Sequence, residues 1–444
     1  MKNKDQMMEK VMTFASKVQT NKYLMSISNG LMGTLPIMMI GSVALLLAVL
    51  PVDFISEALA SIGLTPYLMT AYTLTVGIIA VYAAFLIGYR LAVNFGKEGV
   101  NGGLVALMSF FILTPMVATE NGSTLNMTML GAQGLFTAMI CGLVFARLYC
   151  LFIDMKLTIK MPDSVPPVVS NTFAGLFPAI LTGVIAIIVA LLFGLTSWGS
   201  FSDFVYAIIS APLTNLSGSV WSLVFIVLMQ MVLWFFGLHG SLVVGGFITA
   251  LYLPMDVANM DAVAAGVANS DLPNILGNTF YSLFSGIGGA GGTLSLLIVM
   301  LIFGKSKKHK TLAKLGIVPG CFTINEPIVF GLPMILNPIM AIPFITVPII
   351  QTLVAYLAIA SGIFPHLSGV QVPFGFPILA NGFIAGGWMI SLLQVICIGV
   401  GVLVYFPFFK MLDKKAVIEE DAVEEETVIE EEVVVETVGV RGEA

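Results

Sequence analysis

Long apolar runs separated by short polar loops organise the chain. They fall near 24–50, 69–89, 102–118, 133–152, 172–198, 219–238, 277–303, 333–361 and 386–409, with a shorter run at 241–254. A helix that crosses a bilayer core needs roughly 20 mostly apolar residues. The pattern therefore predicts an all-α polytopic membrane protein. Lys2, Lys4, Lys10, Lys17 and Lys22 precede the first run, as they would in a signal peptide. That run is too long for a signal-peptide core and lacks a small-residue cleavage pattern, so it is read as the first span.

Basic loops stay on the cytoplasmic side of a membrane. Lys and Arg gather in the N-terminus, the Arg90–Lys97, Arg147–Lys160 and Lys305–Lys314 loops, and the Lys410–Lys415 end. The loops at 51–68, 119–132, 199–218 and 255–276 carry Asp or Glu and neither Lys nor Arg, and are expected outside. Two outward loops flank the pair of runs at 219–238 and 241–254, so the short run has to serve as a return leg. About ten crossings result, with both termini inside; a pair of re-entrant hairpins would give the same parity.

Composition agrees. Of 444 residues, 58% are hydrophobic and 10% charged, against about 25% charged in a soluble domain. The net charge of −6 belongs to the tail: residues 414–444 hold 11 acidic and 3 basic side chains, and the rest is near neutral. That tail, 413–444, reads as a solvated, disordered extension. No basic patch interleaved with aromatics suggests nucleic acid. No phosphate-binding loop or metal-ligand spacing is present, so neither a nucleotide, a cofactor nor a metal is expected. Cys141, Cys150, Cys321 and Cys397 sit in or beside apolar runs and read as small hydrophobes.

The second half carries features that a plain bundle does not need. Gly286, Gly288, Gly289, Gly291 and Gly292 crowd one run, and prolines at 327, 333, 338, 343 and 348 punctuate the next. Irregular backbone at membrane depth is tolerated where it is buried in protein or lines a watery cavity. Tight helix contact is the competing explanation of the glycines.

Three motifs could carry chemistry. In TINEPIVFGLPMILNP (323–338), Asn325 and Glu326 precede Pro327, which disfavours the α region for the residue before it and predicts a break between helical pieces. An ionisable side chain within a membrane usually faces a pathway or a partner; the other reading of Glu326 is a solvated cap at the cytoplasmic surface. In WFFGLHGSLVVGG (234–246), His239 lies between Gly237 and Gly240, which would let a ligand approach the backbone; a packed, satisfied histidine is the alternative. In GVQVPFGFPILANGF (369–383), Phe374 and Phe376 offer a stacking face for a sugar or, equally, a membrane-interface belt. A proline-bearing stretch, Val165–Pro178, marks a subdomain boundary.

These blocks, together with NKYLMSISNGLMGTLPIMMIGS (21–42), LGAQGLFTAMI (130–140), IKMPDSVPPVVSNTFAGLFP (159–178) and GGAGGTLSL (288–296), resemble the IIC component of the sugar phosphotransferase system, in its lactose, cellobiose and chitobiose family. The resemblance runs to about residue 412. It implies a ten-helix homodimer in a bacterial plasma membrane, with an oligomerisation half at 24–200, a sugar-holding half at 201–412 containing re-entrant hairpins, and a cytoplasmic N-terminus at 1–23. It further implies that His239 and Glu326 contact the sugar, Glu326 at the hydroxyl to be phosphorylated. Asn325, Gly240, Trp234 and Phe374 complete the expected site. Phe374 stands where such proteins often carry tryptophan. The phosphoryl donor would be a cysteine of a separate IIB protein, charged through IIA, and the cargo a β-linked disaccharide. The alternative is a proton-coupled secondary transporter with Glu326 as proton carrier; an intramembrane enzyme lacks a recognisable nucleophile and base.

Overall fold

The computed structural model describes residues 20–49, 53–119, 122–159, 161–162, 167–332, 334, 337–373 and 375–439, with isolated positions 13 and 17. Seven helices among them are long and apolar enough to cross a membrane, and four shorter apolar helices accompany them.

The first predicted span is kinked. Helices α1 (Lys22–Gly33) and α2 (Leu35–Ala48) meet at Thr34, because Pro36 in the first turn of α2 has no amide hydrogen for a continuous ladder. The Thr34 hydroxyl donates to the Leu31 carbonyl at 2.7 Å. Helices α3 (Asp53–Ser61), α4 (Thr65–Thr73), α5 (Ile79–Asn94), α6 (Gly99–Leu113), α7 (Leu135–Asp154) and α8 (Pro167–Gly194) follow. Small residues bring α5 and α6 together: a Cβ on Gly88 would stand 2.4 Å from that of Ala106. The span expected at 102–118 stops at Leu113, since Thr114 precedes Pro115 and turns extended. An exposed antiparallel hairpin, β1 (Met116–Thr119) with β2 (Gly122–Leu125), takes its place.

The second half contains α9 (Val220–Phe235), α10 (Gly240–Ala264), α11 (Asn278–Phe284), α12 (Thr293–Phe303), α13 (Lys307–Cys321), α14 (Glu326–Gly331), α15 (Pro338–Ala360), α16 (Ala380–Gly386) and α17 (Trp388–Gly439). The doubtful run at 241–254 is thus a full helix of 25 residues, about 37 Å long at 1.5 Å per residue. The run at 277–303 is broken between α11 and α12. The basic stretch expected as the Lys305–Lys314 loop largely opens α13, and residues 413–439, expected as part of a disordered tail, continue α17.

Two cores result. One joins Leu45, Ile79, Phe110 and Phe136 to Leu253, Val257 and Met260 of α10. The other joins Tyr252 and Met255 of the same helix to Phe280, Phe344, Cys397 and Tyr405. Helix α10 is the wall between them. Most of the Val165–Pro178 stretch, read as a boundary, forms the first turns of α8, whose Ala186 lies in the first core.

Basic side chains from three separate segments gather around Phe95. Lys22 and Arg147 both lie over the Phe95 ring, 4.6 and 4.3 Å from its centroid, beside the Lys97–Asp154 pair at 2.6 Å. The Tyr72 hydroxyl donates to Asp261 at 2.6 Å, tying α4 to α10.

Candidate functional site

A cavity of about 860 Å³ opens where α1, the start of α10, α11 and the loop at 371–376 face one another. Its apolar wall includes Leu24, Met32, Phe247 and Phe376; its polar groups include Asn29, His239, Ser241, Asn278, Ser282 and Gln371. Sugars need this mixture, apolar faces beside directional donors and acceptors.

His239 borders the cavity because the chain turns sharply between α9 and α10. Gly237 has φ +80, and a Cβ on Gly240 would lie 2.1 Å from the Gln230 carbonyl, so that corner closes only with glycine. His239 caps α10: its Nδ1 accepts from the Leu242 amide at 3.3 Å. That bond places the neutral ring's hydrogen on Nε2, which remains a donor for a ligand. The ring leans on Trp234, centroids 4.4 Å apart. Trp234 Nε1 donates to Ser241 Oγ at 3.2 Å, Gln230 donates to the same oxygen at 2.8 Å, and the Tyr281 hydroxyl donates to Gln230 Oε1 at 2.8 Å. Four side chains thus hold the His239 corner in one arrangement.

The glycine cluster and the Asn325 break interlock on the other side. All five glycines at 286–292 noted above have positive φ. At Gly291, a Cβ would meet the Phe344 ring at 2.3 Å, while its carbonyl accepts from Tyr405 at 2.6 Å. Asn325, N-cap of α14, is buried; its amide donates to the Ala290 carbonyl at 2.9 Å, and its Cγ would stand 2.5 Å from a Cβ on Gly289. Gly289, Ala290 and Thr323 border the cavity. The two readings of the glycines divide among them: Gly286 and Gly289 border the cavity, whereas Gly291 and Gly292 serve close contact with Phe344 and Val347.

The expected site residues therefore separate. Among those described, His239 borders the cavity, while Trp234, Gly240 and Asn325 stand behind its wall. Glu326 is exposed, one residue past the buried Asn325 and outside the lining. Phe374 lies outside the described residues; its neighbours Pro373 and Gly375 line the cavity. The other histidines are bound elsewhere: His309 Nδ1 sits 2.8 Å from Asp413, and His366 Nδ1 2.8 Å from the Leu272 carbonyl.

A family model described as "Phosphotransferase system, EIIC" matches residues 28–348. The chain belongs to that family. This EIIC chain is 35% identical to the oligo-beta-mannoside-specific EIIC component of Bacillus subtilis (strain 168), over 93% of its own length and 96% of that protein. It is 34% identical to the cellobiose-specific EIIC component of Geobacillus stearothermophilus, over 93% and 94% of the two chains. Among solved structures it resembles the transporter ChbC, the IIC component of an N,N'-diacetylchitobiose-specific phosphotransferase system, with a TM-score of 0.87, 35% identity, and 92% of this chain and 98% of that one covered. The EIIC chain is a multi-pass membrane protein, as its seven long apolar helices require.

Sequence reasoning missed Gln230, Tyr281, Asn278, Gln371 and Asp256. Gln230, Asn278 and Tyr281 lie in apolar runs with no motif around them, and Gln371 lies in the 369–383 motif, where the aromatics drew the reading instead. Asp256 was counted in the outward loop at 255–276, yet it is 1% exposed inside α10. A lone carboxylate in the middle of MDVANM was the available signal, since such a group inside a membrane needs partners.

Proposed function

We propose that this EIIC chain binds a β-linked disaccharide in the cavity beside His239, carries it across the membrane and presents it for phosphorylation by a IIB protein charged through IIA. The cavity carries the reading: its volume falls in the roughly 300–1,000 Å³ range of small-molecule sites, and donors and acceptors face aromatic and aliphatic surface. The substrates named for the relatives, oligo-β-mannoside, cellobiose and diacetylchitobiose, supply the chemical class.

In this reading His239 Nε2 donates to a sugar hydroxyl, and Trp234, Gly240 and the Gln230–Tyr281 chain hold it there. Asn325 anchors the short helix that carries Glu326. Because Glu326 is exposed beside the cavity wall, this reading requires α14 and the glycine break to move together so that the Glu326 carboxylate reaches the hydroxyl that reacts. That oxygen attacks the phosphorus of the IIB phosphocysteine, the P–S bond breaks, the thiolate leaves, and Glu326 takes the hydroxyl proton. General-base help of this kind is typically worth about 100-fold or more. Phe374 contributes an apolar face.

Support for ten crossings comes from the seven long apolar helices and the shorter ones that accompany them among the described residues, and in this reading both termini are cytoplasmic. The broken segments α11–α12 and α13–α14 are the re-entrant elements. Residues 24–200 form the scaffold of a homodimer, 201–412 the sugar-holding half, and 1–23 and 413–444 cytoplasmic extensions; Ile180, Ile187 and Leu191 of α8 leave an apolar face exposed for a second copy. The proton-coupled alternative has no support among the relatives.

Uptake of radiolabelled cellobiose and diacetylchitobiose in cells with and without phospho-IIB tests the reading. Accumulation as the phosphate, lost without IIB and insensitive to a protonophore, is expected. Accumulation of unmodified sugar that collapses with the protonophore overturns it.

A further inference from the structure

Asp256 is a buried carboxylate that the reading above does not use. It sits in α10, the wall between the two cores, and three donors converge on its Oδ2: the Thr279 amide at 2.8 Å, the Thr279 hydroxyl at 3.0 Å and the Gln371 side-chain amide at 2.8 Å. The backbone leaves room for nothing larger, since a Cβ on Gly277 would stand 1.9 Å from Asp256 Oδ1 and one on Gly369 would stand 2.2 Å from its carbonyl oxygen. Gly277 is the N-cap of α11 and has no side chain to cap it. Asp256 supplies from another helix the acceptor that a local Ser or Asp would provide.

The consequence reaches the cavity. A side-chain amide can sit in either of two flips, and its neighbours decide which. A carboxylate in this role accepts, so Gln371 must turn its Nε2 toward Asp256, where that nitrogen also lies 2.8 Å from the Gly369 carbonyl. Gln371 Oε1 is then turned to Asn278, whose Nδ2 donates to it at 3.1 Å. Asn278 is held in turn, with its nitrogen on Gln371 and its carbonyl oxygen left as an acceptor. Gln371 and Asn278 both border the cavity, and Asp256 stands behind them.

We propose that Asp256 is a positioning residue for sugar recognition, fixing the amides of Gln371 and Asn278 so that Asn278 presents its carbonyl oxygen to one sugar hydroxyl. The site then demands a donor at that position, and a sugar lacking the hydroxyl is rejected. This rests on the cavity being the sugar site. Asp256→Asn keeps the shape but adds a donor facing the Gln371 and Thr279 donors, so the relay loses its single orientation.

The test is a thermodynamic cycle by calorimetry on purified protein. The parent sugar is whichever of cellobiose and N,N'-diacetylchitobiose binds more tightly, compared with its monodeoxy analogues. In the wild type, one analogue should lose about tenfold in affinity, the typical cost of leaving a buried acceptor unpaired. In Asp256→Asn the parent should lose about tenfold and that analogue nothing further. A structural role alone would weaken the parent and every analogue equally, and that result overturns the inference, as does unchanged binding. Should Asp256→Asn fail to accumulate, Asn278→Ala carries the same cycle, with the same loss of discrimination expected and parallel losses overturning it. Ser282→Trp, which fills the cavity, separates the two levels. If it leaves binding intact, the cavity assignment falls and this inference with it. If it abolishes binding while the cycle shows parallel losses, the positioning role alone is wrong.

Discussion

The two halves of the molecule bury different polar groups. Before residue 218, the polar side chains buried among the described residues are serines and threonines, apart from the hydroxyls of Tyr72 and Tyr149. Most donate to their own helix, as Ser26 does to Lys22, Ser109 to Val105, Thr114 to Phe110 and Thr182 to Pro178. After residue 218 the buried set adds Gln230, Asp256, Asn259, Asn325, Gln351, Gln371, Asn381, Gln394, His309 and Asp413. These bond across long stretches of sequence: Asn259 to the Asn274 and Leu367 carbonyls, Gln394 to Asn381 and the Leu379 amide, Gln351 to the Cys397 carbonyl. A hydroxyl bonded to its own helix is satisfied whatever the neighbours do, whereas a cross-chain amide needs one arrangement. The first half is built to pack, the second to specify.

That contrast can be attacked from either side. The largest effect is expected from Glu326→Gln: sugar phosphorylation should fall at least about 100-fold while the protein reaches the membrane at its normal level, read by phosphorylation assay and immunoblot. Gly291→Val forces a branched side chain into Phe344 at positive φ, and should destabilise the second half by about 2–3 kcal/mol, seen as a lowered midpoint of thermal unfolding in detergent. His239→Ala should weaken sugar binding about tenfold through the loss of one donor, measured by calorimetry, and should lower stability by about 1 kcal/mol through the lost α10 cap. Ser109→Ala, in the first half, should shift stability by about 0.5 kcal/mol or less and leave transport unchanged. A first-half hydroxyl whose loss stopped transport would erase the distinction.

The spans were legible because apolar length is a property of a segment alone, and the breaks at Gly286–Gly292 and Asn325–Pro327 because glycine and proline act on their own backbone. The short run at 241–254 was ambiguous because its continuation past Pro254 holds Asp256, Asn259 and Asp261, which look like a loop until their partners are seen. Asp256 is silenced by Thr279 and Gln371, far away in sequence. The extension of α17 was hidden for a related reason: Asp413 accepts from the Lys305 amide at 2.7 Å and Glu420 from the Lys307 amide at 2.9 Å, so acidic residues that read as solvated instead cap α13. The His239 corner was half visible. Its glycines announced the turn, but nothing local announced that Gln230 and Tyr281 support it.

The central claim is that His239 and Glu326 act on one disaccharide held in the cavity that His239 borders. Calorimetric titration of wild-type, His239→Ala and Glu326→Gln proteins with cellobiose, diacetylchitobiose and lactose measures it directly. The account predicts that one of these sugars binds the wild type and that both variants bind it more weakly, whereas undiminished affinity in both variants would contradict it.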